Sequence, residues 1–291
     1  MEYRLSTSIG KQMTNVRTLG LLALLSFTCL AVTRASDAPA VKMTLLRLPN
    51  GLRVGLIGEH LNRPSPTLFV LQGSLDVGLR QPIYTEVARI MAKHGYMSVM
   101  IDAPAHGEDH RPGEPDNELA AWRERLERNE DFIGEFTGKA RQVLDYLVAQ
   151  NYADPTRVAA CGTSRGAFLA FHFGAAEPRI RCVGGIAVLS DLLVLKEFQM
   201  TTRRARASAL SLTTLVPKIM GKPAWIGIGN NDSRVGTDEV IAFTRALVKA
   251  TAGRQDAKIP VPVDLLVNSS AGHDSNVSDH EQLAAWLLKQ F

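Results

Sequence analysis

The sequence predicts an α/β domain, with a mostly parallel sheet of about eight strands and helices on both faces. Three observations lead there. Strand-length apolar runs alternate with helix-length amphipathic runs over residues 41–291. One apolar run, Arg157-Val158-Ala159-Ala160-Cys161, passes through Gly162-Thr163-Ser164-Arg165-Gly166 into Ala167–Phe173, which is apolar enough for a buried helix. Near the start, Thr44–Leu48 and Leu52–Ile57 alternate on either side of Asn50-Gly51, the signature of an antiparallel hairpin closed by a type I′ turn.

The remaining elements follow in order. Leu68–Leu71 reads as a strand, with Gln72-Gly73-Ser74 after it. Tyr84–His94 reads as a helix with Gly95 at its C-terminal cap, and Tyr96–Ile101 as the next strand. Residues 103–128 are polar and broken by Pro104, Gly107 and Pro112, so a loop insertion is expected there. Asn129–Gln150 is a long amphipathic helix with Phe132, Phe136, Val143, Leu144 and Leu147 near one face. Beyond the buried helix come the strand Val183–Ser190, a second insertion over 192–220 and the strand Pro223–Gly229. A helix starting near Thr237, the last strand Val261–Val267 and a closing helix Glu281–Phe291 complete the series. About 250 residues are enough for one such domain with a full core.

The chemistry concentrates at Gly162–Gly166. A G-x-S-x-G run between a strand and a helix forces Ser164 into a tight, strained turn, and glycine on both sides leaves room for it. The helix N-terminus beneath the serine favours negative charge developing above it. Partners follow in the chain order serine, acid, histidine. Asp232 lies just past the strand Pro223–Gly229, where parallel sheets collect their chemistry. Asp238 suits the first turn of the following helix better, and Asp191, one strand earlier, is the rival acid. His273 sits on the loop after the last strand, where a neutral imidazole would exchange the serine proton. His280 competes, but falls at the start of the final helix.

With these residues in place, residues 41–291 resemble the α/β-hydrolase superfamily, nearest to its prolyl-oligopeptidase-like and dienelactone-hydrolase-like serine hydrolases. The resemblance implies an α/β-hydrolase fold, a Ser164–Asp232–His273 triad, no cofactor and no metal. It also implies an oxyanion hole from the backbone N–H groups of Ser74 and Arg165, with Leu75 as the alternative to Ser74. Gln72 stands where the family has histidine in the His-Gly loop. The stretch Asp102-Ala103-Pro104-Ala105-His106-Gly107 is similar to a family segment at the active-site rim, which makes Gln72 and His106 pocket residues. Residues 192–220 fall where the family often carries a lid, and Arg203, Arg204 and Arg206 there are candidate anion contacts or a solvated helix face. A small-molecule ester is the expected substrate, with a peptide or a silent binding fold as alternatives. His106, Glu108, Asp109 and His110 also invite a metal reading, which the helix breakers among them disfavour.

The N-terminus has the layout of a secretory signal. Lys11 and Arg17 precede an apolar run over Leu19–Val32, and Thr33-Arg34-Ala35 offers a cleavage site after Ala35, whether translation starts at Met1 or Met13. The run is short for a membrane span, so a secreted or periplasmic protein is expected rather than an anchored one. Removing residues 1–35 takes away four basic residues and one acidic one, so the formal charge falls from +4 to +1. The basic balance therefore belongs to the leader, and with no basic stripe interleaved with aromatics, nucleic acid is not an expected partner. Cys161 and Cys182 are expected as free, buried thiols at opposite edges of the sheet.

Overall fold

The computed structural model describes residues 41–253, 262–270 and 272–291; the expected signal segment, residues 1–35, lies outside them. The sheet begins with a hairpin, β1 (Met43–Arg47) and β2 (Arg53–Ile57), paired antiparallel with Arg47 opposite Arg53. Its turn is not type I′. The Gly51 N–H donates to the Leu48 carbonyl at 2.9 Å, and of the loop residues only Gly51 has positive φ, at 86°. Pro49 fixes φ at the first central position, so a type I turn forms and Gly51 supplies the bulge after it.

Six more strands complete the sheet: β3 (Ser65–Leu71), β4 (Met97–Met100), β5 (Ala153–Thr163), β6 (Ile180–Ile186), β7 (Ala224–Gly229) and β8 (Val263–Asn268). Their spatial order is β1-β2-β4-β3-β5-β6-β7-β8, and β4 through β8 run parallel. The chain steps outward one way from β3 and the other way from β5. The C-terminal ends of these two neighbours therefore form the switch point, where parallel sheets open a crevice.

Helices α1 (Leu75–Arg80), α2 (Pro82–Ala92), α3 (Glu118–Glu127), α4 (Phe132–Ala149), α5 (Arg165–Ala176), α6 (Arg204–Ala209), α7 (Leu212–Ile219), α8 (Thr237–Ala252) and α9 (Val277–Leu287) cover the sheet. Alternation along β3 divides the core. Leu68 and Val70 pack with Val87 and Met91 of α2 and Leu283 of α9. Phe69 and Leu71 belong to the larger cluster with Phe136, Val143, Phe168, Phe171 and Phe243. Residues Gly166–Gly174 of α5 are all buried, and β4 and β7 are buried throughout, as expected of strands covered on two faces.

Two sequence expectations change. Cys161 and Cys182 are free and buried, but they are not at opposite edges. Register pairs Cys182 with Ala159 and Cys161 with Gly184, so the cysteines are diagonal neighbours on one face. A strand spacing of about 4.8 Å and a two-residue rise of about 6.6 Å put their Cα atoms roughly 8 Å apart, outside disulfide geometry. Residues 192–220 do not cover the crevice. Their Phe198, Leu212, Leu215 and Ile219 sink into the core, and α7 forms part of the crossover from β6 to β7. Arg206 donates to the carbonyls of Asn129 and Glu130, while Arg203 and Arg204 are exposed.

The insertion before α4 is held from inside. Arg125 is 1% exposed and binds Glu114 through Nε and Nη2 at 2.6 and 2.8 Å, and Asp109 through Nη1 at 2.6 Å. The Arg125 hydrogen bonds pull the Glu114 carboxyl down to about 2. Replacing Arg125 with methionine keeps the volume and takes the shared buried partner from two poorly solvated carboxylates, leaving Asp109 to Lys139 and Glu114 to the Arg111 N–H and the more distant Arg128. The expected loss is about 3–5 kcal/mol of unfolding free energy, read from urea denaturation; unchanged stability would show that the cluster does not hold the loop.

Candidate active site

Ser164 leaves β5 with φ 56° and ψ −118°, a strained conformation for a residue with a side chain. Its N–H donates to the Ile186 carbonyl at 2.8 Å, tying the turn to the end of β6. Both flanking glycines are required by space. A Cβ on Gly162 would lie 2.4 Å from the Gly166 carbonyl carbon, and one on Gly166 would lie 2.0 Å from the Leu71 oxygen.

His273, on the loop between β8 and α9, reaches this turn. Its Nε2 is 2.9 Å from Ser164 Oγ, and its Nδ1 is 2.7 Å from Asp232 Oδ2. Asp232 follows β7 and is 2% exposed; its Oδ1 accepts the N–H groups of Arg234 and Val235 at 3.0 and 3.1 Å. Burial alone would raise the Asp232 carboxyl, but the His273 hydrogen bond, the electrostatic attraction of the ring and the two amides outweigh it and hold it below its ordinary value. An ionised Asp232 only accepts, so Nδ1 carries the imidazole proton and Nε2 faces Ser164 as the acceptor. The other candidates lie elsewhere. Asp191 accepts from Leu193 N–H in the turn after β6, Asp238 sits in the first turn of α8, and His280 is buried in α9.

Gln72, Gly73 and Ser74, at the end of β3, border a depression of about 320 Å³ together with Ser164, Arg165 and His273. Ser74 caps α1, its hydroxyl accepting from Val77 N–H at 3.2 Å. The Leu75 N–H donates to Asp102 Oδ1 at 2.7 Å, which removes it as an oxyanion donor. Among the hydrogen bonds of the described residues, none uses the N–H of Ser74 or of Arg165. Gln72 is 7% exposed. His106 Nδ1–H donates to the Pro104 carbonyl at 2.7 Å, and its Nε2 accepts from Arg165 Nη1 at 2.8 Å. Glu108, Asp109 and His110 turn to separate partners, namely Arg47, Arg125 and the Pro115 carbonyl. No group of three or more metal-ligating side chains is gathered among the described residues.

No family model matches the sequence, and no curated protein does. Solved structures do. Pyrococcus horikoshii acylaminoacyl peptidase aligns over 86% of this chain and 42% of its own, at 12% identity and a TM-score of 0.64. TT1662 from Thermus thermophilus aligns over 86% and 98%, at 21% identity and 0.63. A cold-adapted esterase from an Arctic intertidal metagenomic library aligns over 86% and 93%, at 17% identity and 0.60. This is the α/β-hydrolase fold. At these identities the likeness is one of fold, and the chain spans less than half of the peptidase it matches.

Within the α/β-hydrolase fold, three contributors escaped the sequence reading. Asp102 clamps the loop after β3: besides Leu75 N–H, it takes Glu108 N–H at 3.2 Å and Arg53 Nη2 at 3.4 Å. The signal was there, a carboxylate two residues after β4, but the partner amide is remote in sequence. Asn268 and Asp279 fix the His273 loop. Asp279 forms a capping box with Asn276, and both its oxygens accept from Asn268 Nδ2 at 3.1 Å.

Burial also lowers the pKa of two histidines to about 4: His106, and His172, whose Nε2–H donates to the Leu210 carbonyl. The unfolded chain takes up these protons near pH 6.5, whereas the folded protein waits until about pH 4. Their contribution is full above pH 6.5 and is lost as pH falls towards 4, on the order of 3 kcal/mol each. The urea midpoint should fall between pH 7 and 5, before carboxylates titrate, and His172→Gln should flatten that fall. A flat wild-type profile would contradict the assignment.

Proposed function

We propose that the protein is a serine hydrolase of carboxylic esters. The observation that carries this reading is the chain of hydrogen bonds from Ser164 through His273 to Asp232, at 2.9 and 2.7 Å, beside two backbone amides free to bind an oxyanion. In this mechanism Ser164 Oγ attacks the ester carbonyl while His273 Nε2 takes its proton. Asp232 holds the ring in register and stabilises the imidazolium. The N–H groups of Ser74 and Arg165 receive the oxyanion above the N-terminus of α5. The tetrahedral adduct collapses, His273 returns the proton to the leaving alcohol, and water releases the acyl group by the same steps. The depression of about 320 Å³ suits a small acyl group. The match to an esterase over 93% of its length supports esters over peptides, since only 42% of the peptidase is spanned.

We also infer export. The layout of residues 1–35 supports a cleaved leader, and no helix among the described residues is long and apolar enough to cross a membrane. N-terminal sequencing of the mature protein should begin at Ser36; a start at Met1 or Met13 would refute cleavage.

A fluorophosphonate probe should label the purified protein, and Ser164→Ala should abolish labelling. Asp232→Asn should keep the fold and lower kcat on p-nitrophenyl esters by about 10⁴-fold, because the amide favours the wrong imidazole tautomer. A folded wild type that resists the probe would overturn the hydrolase reading.

A further inference from the structure

Arg165 differs from Arg125, Arg179 and Arg234, whose guanidinium groups are taken up by carboxylates. Each of those three places at least two nitrogens on carboxylate oxygens at 2.6–2.8 Å. Among the described residues the Arg165 side chain has one hydrogen bond, and its acceptor is an uncharged ring: Nη1 lies 2.8 Å from His106 Nε2. The His106 tautomer is fixed by its Nδ1–H bond to the Pro104 carbonyl, which Trp122 Nε1 also binds at 2.6 Å. His106 is 3% exposed, and burial lowers its pKa to about 4, so it remains neutral. It therefore orients the guanidinium without cancelling its charge.

The carboxylate near Arg165 is a weak partner. Glu118 Oε2 is 3.5 Å from Nη1, and its side chain is 41% exposed. A pair at that distance and exposure is screened by water. Arg165 borders the same depression as Ser164 and His273, with Glu118 and Asp274 as the carboxylates on its rim. The ring edge of His106 also presses on Gly73, where an added Cβ would come within 2.8 Å of Cδ2, so the guanidinium sits beside the loop that carries Ser74.

We propose that Arg165 is a specificity residue and that the esters this site favours carry a free carboxylate near the scissile carbonyl. The proposal rests on the ester-hydrolase reading above. The planar fork of a guanidinium matches a carboxylate through two parallel hydrogen bonds. In the bound state the substrate carboxylate takes the place that Glu118 holds loosely in the free protein. Charge-assisted hydrogen bonds of this kind separate matched substrates by roughly ten- to hundredfold in kcat/KM.

The test compares matched ester pairs on protein already shown to react with a fluorophosphonate probe. One pair carries the charge on the acyl side, mono-p-nitrophenyl succinate against p-nitrophenyl butyrate. The other carries it on the alcohol side, 4-acetoxybenzoate against p-tolyl acetate. The wild type should favour the anionic member of at least one pair by tenfold or more, and added salt should reduce the ratio. Arg165→Gln should bring the ratio near one, Arg165→Lys should keep part of it, and Glu118→Gln should raise it. The proposal is overturned by a wild-type ratio near one, by a ratio that survives in Arg165→Gln, or by an equal loss on both members. If the arginine variants do not fold, Glu118→Gln decides: an unchanged ratio overturns the proposal. A wild type that never reacts with the probe refutes the hydrolase reading as well, and so is distinct from failure of the specificity alone.

Discussion

The site depends on how closely α5 approaches β3. No side chain fits between Gly166 and the Leu71 carbonyl, where a Cβ would come within 2.0 Å. That contact brings the loop after β3 beside the turn after β5, so Ser74 and Arg165 border one depression. It also forces Ser164 to positive φ, a strain of about 1–3 kcal/mol for a non-glycine residue. The burial of α5 against the largest core cluster offsets it. A strained turn persists only where its surroundings leave no alternative, and here the strand on one side and the buried helix on the other do so.

The second half of the site depends on cross-ties between loops. His273 must meet both Ser164 and Asp232, which come from different strands. The Asn230 N–H donates to the Asn268 carbonyl at 2.8 Å, joining the loop after β7 to the end of β8. Asn268 then binds Asp279 at the head of α9, and Asp279 caps that helix with Asn276. The imidazole is thus set by hydrogen bonds that span residues 230–279 and do not involve the reacting atoms. Asp102 plays the same part for the Ser74 loop, from the end of β4.

These ties explain what was legible in the sequence. The Gly162–Gly166 turn is local: its glycines, its serine and its flanking apolar runs are contiguous, so strand, turn and helix could be read directly. The order Ser164, Asp232, His273 could be read because each follows an apolar strand. Long-range register could not. The relation of Cys161 to Cys182 depends on where β6 starts against β5, and no local pattern fixes that offset. The hairpin was misread for a local reason, since Pro49 outweighed the Asn50-Gly51 pattern. The apolar residues of 192–220 were read as a lid because their spacing shows a helix but not which surface it meets. Arg125 looked like any helix arginine, and only the folded insertion brings Glu114 and Asp109 onto it.

Arg125 and Arg165 together separate structural charge from functional charge. Arg125 is nearly inaccessible, and its hydrogen bonds are used up by two carboxylates and a backbone carbonyl. Such a group holds a loop in place, because removing a partner leaves a buried charge uncompensated. Arg165 is 31% exposed, is held by an uncharged ring, and has the half-exposed Glu118 carboxylate only at 3.5 Å. Orienting a cation while leaving its charge free gains little stability. It does leave a cation on the rim of the depression that Ser164 and His273 border, and a cleft concentrates the field of such a charge. The same packing that turns Ser164 out of β5 places Arg165 at the next position in the chain, so in the proposed reaction one turn supplies both the nucleophile and the charge its substrate meets.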